Sequence, residues 1–234
     1  MKLSILAALT AAATAVDAHY IFNILFVNGV RQGGEYTYVR RNTNSYNPAF
    51  PDIVDKNDLR CNVGAKPGGN VGTFEVNAGD RIALKLFNNE FIEHPGPGFV
   101  YMSKAPDSVS TYDGSGDWFK VWESGLCRGN AAQDGNWCTY NKDRMEFTIP
   151  PKTPPGEYLV RFEHIGLHEG HVQRAQFYMQ CLQLRIKGNG GGNPSPLVKI
   201  PGIYKQTDPG IRYNKWTGNP APYQMPGPKV WNGN

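Results

Sequence analysis

The sequence predicts an all-β sandwich with long loops, on three observations. Glycine and proline are abundant, at 27 and 18 of 234 residues, and both interrupt regular helix. No segment carries a long apolar repeat of helical period. The ordered stretches instead alternate apolar and polar side chains with period two, the signature of strands with one face buried.

Taken in order, residues 19–27 and 36–40 read as strands joined through the turn Asn28-Gly29, a pair suited to a tight hairpin. Residues 72–76 and 81–87 flank a second turn at residues 77–80. Met145, Phe147 and Ile149 alternate, as do Tyr158, Val160 and Phe162 after the turn at Pro154-Pro155-Gly156. The last strand, residues 175–186, places Gln176 and Tyr178 on one face and Phe177, Met179 and Cys181 on the other. Its apolar parity then moves to Leu182, Leu184 and Ile186. Either a bulge near Cys181 or burial on both faces accounts for that. Long loops are expected over residues 41–61 and 103–138, and loops of such length without structure of their own are usually functional.

Ahead of the first strand, Met1-Lys2 is followed by an apolar run over residues 3–16 that ends in Val16-Asp17-Ala18. This is the pattern of a secretory leader cut after Ala18. The run is too short to span a bilayer, and no later stretch approaches the roughly 20 apolar residues a spanning helix needs. The expectation is a secreted, extracellular protein of one domain, residues 19–234, whose first residue is His19. Its formal charge of +4 is scattered, with Arg40-Arg41 the only adjacent basic pair, so neither nucleic acid nor a membrane surface is an expected partner. Four cysteines in an exported chain suggest two disulfides. Three connectivities are open, of which Cys127 with Cys138 and Cys61 with Cys181 is preferred. The longer crosslink would contribute about 4 to 5 kcal/mol by loop entropy.

The five histidines, at positions 19, 94, 164, 168 and 171, carry the chemistry. A chain that begins with His offers two nitrogen donors from one residue, the α-amine and the ring Nδ1. A third imidazole completes a planar, nitrogen-rich set that suits Cu(II) better than tetrahedral Zn(II). His94, held before the rigid Pro95-Gly96-Pro97-Gly98, is the best third donor. Tyr178 can supply an axial phenol oxygen, and Gln176 lies on the same side. His164 is expected to face solvent or to pack.

In order along the chain, His19-Tyr20, His94-Pro95-Gly96-Pro97, Tyr101-Met102-Ser103, Glu163-His164-Ile165-Gly166-Leu167-His168, Ala175-Gln176-Phe177-Tyr178, Pro201-Gly202-Ile203-Tyr204 and Asp208-Pro209-Gly210-Ile211 resemble fungal lytic polysaccharide monooxygenases of auxiliary-activity family nine. The resemblance covers essentially the whole mature chain. It implies an immunoglobulin-like or fibronectin-III-like β-sandwich whose long loops form a flat face, with one copper ion (Cu2+/Cu+) held by His19 and His94 and with Tyr178 axial. His168 and Gln176 would complete the catalytic set around the copper-bound oxygen. The segment between His168 and the Gln-x-Tyr strand is shorter than in the family. His171 is therefore the alternative to His168, which is preferred because Ile165-Gly166-Leu167-His168 matches the family's Ile-Ala-Leu-His.

The implied function is oxidative cleavage of β-1,4-glucan chains, C1 favoured over C4. It would use O2 or H2O2 and an external donor such as a small phenol, ascorbate or a redox partner like cellobiose dehydrogenase. Tyr46, Tyr213 and Tyr204 are the candidate rings for stacking on sugars. Residues 188–196 read as a linker, but the tail beyond has no cysteine to staple a small module. It is expected to wrap over the same domain, with no separate carbohydrate-binding module, in a monomer. Two other classes stand beside this one: a non-catalytic copper- or polysaccharide-binding protein of the same fold, and a glycoside hydrolase, for which no acidic motif stands out.

Overall fold

The computed structural model describes residues 19–233, so the leader expected over residues 1–18 lies outside the described residues. Two sheets face one another. One has four strands in the order β2-β1-β4-β7, and the other has five in the order β3-β9-β8-β5-β6. The strands are β1 (Phe22–Val27), β2 (Val30–Gln32), β3 (Phe74–Asn77), β4 (Arg81–Leu86), β5 (Gly98–Lys104), β6 (Phe119–Ser124), β7 (Arg144–Thr148), β8 (Gly156–Gly166) and β9 (Gln176–Lys187). This is the expected β-sandwich. Among the described residues no helix is long and apolar enough to cross a membrane.

Asn28 and Gly29 both take positive φ, 51° and 82°, as a two-residue hairpin turn requires. Such a turn pairs the very next residues, so β1's hairpin partner is Val30–Gln32 and not residues 36–40. Of that predicted strand, only an isolated bridge from Val39 to Leu182 remains. The turn at residues 77–80 also joins different partners from those expected. It carries the chain from β3, parallel to β9 in one sheet, to β4, between β1 and β7 in the other. Residues 103–138 are not one unstructured loop, because β6 lies within them.

The parity change along β9 has a simple cause. Pairing with β8 runs without a break from Gly156↔Ile186 to Gly166↔Gln176, so there is no bulge. Even-numbered Tyr178, Leu182, Leu184 and Ile186 pack between the sheets. Odd-numbered Phe177, Met179 and Cys181 pack under the loops and tail that cover the other face. A strand buried on both faces loses visible alternation.

Cys61 is bonded to Cys181, and Cys127 to Cys138, as preferred from the sequence. The loop-side layer also buries Arg161 and Glu163, both fully inaccessible. They form a two-pronged ion pair at 2.6 and 2.7 Å, the geometry that makes a buried charge pair tolerable.

Candidate metal centre

One end of the sandwich gathers residues from three distant parts of the chain. His19 enters β1 through Tyr20 and Ile21, His94 lies on the connection from β4 to β5, and Gln176 and Tyr178 open β9. The His94 connection is fixed by backbone bonds to the end of β8: Ile165 N–H donates to Pro97 O at 3.0 Å and Leu167 N–H to Pro95 O at 2.8 Å. Thr139 adds a hydroxyl bond to Gly96 O at 2.6 Å. Gly96 has φ +158°, and a Cβ there would collide with the Ile165 carbonyl. Only glycine lets this turn lie against β8.

The rings of His19 and His94 are 6.4 Å apart at 72°, and Tyr178 lies 6.4 Å from His19 and 5.9 Å from His94. His94 and His168 stack at 4.1 Å. A Cβ on Gly166 would lie 3.1 Å from His94 Cβ and 3.5 Å from His168 Nδ1, so the bare glycine makes room for that stack. Tyr178 donates its hydroxyl to Gln176 Oε1 at 2.6 Å, and burial holds the phenol well above its ordinary range. Burial first, then the nearby His168 and His19, push the His94 imidazole down to about 3. Neutral imidazole is the form that can donate a lone pair to a metal. Burial is also the main cause that lowers His168.

Three ring nitrogens here, His94 Nε2, His168 Nδ1 and His164 Nε2, are buried without a hydrogen-bond partner in the protein. Orphaned buried polar atoms are uncommon and call for a ligand or a functional reason. The imidazoles of His19 and His94, with the Tyr178 phenol beside them, are a nitrogen-rich set of the kind that suits copper.

The other expected residues are distributed unevenly. His171 is exposed, whereas His168 stacks on His94. His164 does not face solvent. It is 0 % exposed and its Nδ1 is hydrogen-bonded to the Tyr20 hydroxyl at 2.7 Å, while Tyr20 stacks on Tyr178 at 4.0 Å. Together they form a floor beneath the centre.

Tyr46 is half-buried, 6.0 Å from Phe87. Tyr204 is only 2 % exposed and spends its hydroxyl on Glu163 at 2.7 Å. Tyr213 is 6 % exposed and bonded to Ala221 O. Neither can offer a ring face to a sugar, because the tail folds its own aromatics inward. Two aromatics are exposed among the described residues, Phe91 at 46 % and Trp216 at 60 %, and the Trp216 indole N–H is donated to His168 O at 2.6 Å. Sequence reasoning missed Trp216. The available signal was a tryptophan in a polar, Gly- and Pro-rich stretch, where an apolar ring has little local reason to be buried.

Comparison with known proteins agrees with this geometry. The chain is 47% identical to lytic polysaccharide monooxygenase D of Aspergillus tamarii, over 100% of this chain and 87% of that one. It is 48% identical to monooxygenase A of Aspergillus fumigatus, over 100% and 83%. The fold superposes with TM-score 0.79 and 28% identity on the crystal structure of a cellulose-active polysaccharide monooxygenase from M. thermophila, covering 92% of this chain and 100% of that one. Residues 19–223 match the model of Auxiliary Activity family 9 (formerly GH61). With the paired histidines, the orphaned His94 nitrogen and the sandwich all in agreement, the chain belongs to Auxiliary Activity family 9, the copper-dependent lytic polysaccharide monooxygenases.

Proposed function

We propose that the mature protein begins at His19 and is a secreted single-domain monooxygenase. The α-amine and ring of His19 and the ring of His94 would hold one copper ion, with the Tyr178 phenol beside them, and the enzyme would oxidise cellulose or a related β-1,4-glucan at C1. The observation that carries this reading is His94 Nε2, a buried lone pair with no protein partner beside His19 and Tyr178.

Copper, when bound, supplies the one-electron redox chemistry that activates O2 or H2O2 after reduction by an external donor such as ascorbate, a small phenol or a redox partner protein. The protein's own residues do the rest. Tyr178, its proton committed to Gln176, keeps its oxygen toward the centre as a neutral phenol. His168, stacked on His94 and half-exposed, is placed to hold or pass a proton on the substrate side. Gln176 fixes the phenol's orientation and offers its amide to the same space. Trp216, beside His168, and Tyr46, on the first long loop, are the rings assigned to stacking on pyranose faces. Tyr204 and Tyr213 have no part in that.

The test is to incubate copper-loaded mature protein with cellulose and ascorbate and to analyse soluble products by mass spectrometry. Aldonic acids appearing only with reductant support the reading, and C4-ketones would overturn the C1 assignment. Native oligosaccharides without reductant would mark a hydrolase, and absence of products with intact copper binding would mark a binding protein. An otherwise identical protein carrying one residue ahead of His19 is expected to lose oxidative activity, since the amine would become an amide; full activity there would refute the chelate.

A further inference from the structure

Lys215 is a lysine with a fully buried side chain, one residue before the exposed Trp216. Taking an ammonium out of water costs several kcal/mol unless other groups replace the solvent, so its partners indicate what the burial serves. Lys215 Nζ donates to Ala132 O at 3.0 Å and forms an ion pair with Asp134 at 2.8 Å. Both belong to the loop closed by Cys127–Cys138. The same Nζ lies 3.9 Å from the centroid of the Trp216 ring, a close cation–π contact. At its other edge, the indole N–H is donated to His168 O.

A tryptophan this exposed would ordinarily sample several rotamers. Here one face and one edge are both held, by segments that meet only in the folded protein. We infer that Lys215 is a positioning residue that ties the disulfide-closed loop to Trp216 and so fixes the indole against His168. The inference deepens the assignment of Trp216 as a sugar-stacking ring and rests on it. A lysine that merely joined loop to tail would change stability without altering the indole.

The readout follows from that difference. Copper-free protein with isotopically labelled tryptophan is studied by NMR, with the Trp216 indole N–H identified by its absence in Trp216→Ala, and binding to cellulose is measured without reductant. Lys215→Met keeps the length of the stem and removes the charge. It is expected to speed exchange of the Trp216 indole proton by about tenfold and to weaken cellulose binding by about fivefold. The pair Cys127→Ser with Cys138→Ser should move both readouts in the same direction. Unchanged indole exchange in folded Lys215→Met overturns the inference. Should that variant fail to fold, Asp134→Asn, at a part-exposed position, takes its place, and unchanged exchange there overturns the inference equally. If Trp216→Ala itself leaves cellulose binding intact, the stacking assignment fails while indole exchange still judges the clamp.

Discussion

Acid should destabilise the copper-free protein through His164, by an amount the structure sets. His164 is fully buried opposite Tyr178 on β8 and is pushed down to about 3, foremost by burial and next by the neighbouring His94. Tyr20, its phenol raised well above the ordinary range by burial, stays neutral and hydrogen-bonded to Nδ1. The folded pKa thus lies below the unfolded value of about 6.5. As pH falls, the unfolded chain takes up the proton first. The contribution is complete above about pH 6.5 and is lost progressively toward pH 3, by at most about 1.4 kcal/mol per pH unit. At about pH 5 the loss from this residue is about 2 kcal/mol, or about 4 to 8 °C in Tm for a domain of this size. His164→Asn keeps an acceptor for Tyr20 and removes the titration. Calorimetric Tm profiles of the chelated proteins between about pH 8 and pH 5 should therefore be flatter in the variant by that amount. His94 is also depressed and interacts with His164, so the comparison is repeated in a His94→Asn background, where only His164 differs. Parallel profiles would refute the argument, because they would mean that His164 pays no penalty for charging in the folded state.

Three other outcomes follow from the packing. Replacing Cys61 and Cys181 by Ser opens a loop with a sequence separation of 120, and loop entropy puts the loss near 5 kcal/mol, about 10 °C in a scanning calorimeter. Gly96→Ala drives a methyl group into the Ile165 carbonyl. It should shift the His94 connection and weaken copper binding by about 5- to 150-fold in titration calorimetry, the equivalent of the about 1 to 3 kcal/mol that overpacking costs; unchanged affinity would detach His94 from the centre. Glu163→Gln leaves the Arg161 guanidinium buried without a counter-charge, so urea unfolding should report a loss of about 3 to 5 kcal/mol.

By itself the sequence determined the features that depend on neighbours in the chain. Period-two alternation around Met145, Tyr158 and Gln176 marks β7, β8 and β9, because successive residues of a strand point to opposite faces whatever the strand pairs with. The Asn28-Gly29 turn was readable because positive φ at both residues is a local preference. Residue chemistry and strand parity singled out His94, Gln176 and Tyr178, and the resemblance of Ile165-Gly166-Leu167-His168 to a family motif added His168. Tertiary structure alone decided the partners. Residues 72–76 read as half a hairpin, yet β3 pairs with β9, more than a hundred residues away, a choice set by which sheet each side of the turn at residues 77–80 joins. It also decided which tail aromatics are inside. Tyr204 is covered where distant Glu163 takes its hydroxyl, and Tyr213 where the tail folds back so that Ala221 O takes its own. Trp216 is left outside because His168 O and Lys215 hold it at the rim. Burial of a loop side chain depends on what the rest of the chain lays over it, and no local pattern encodes that.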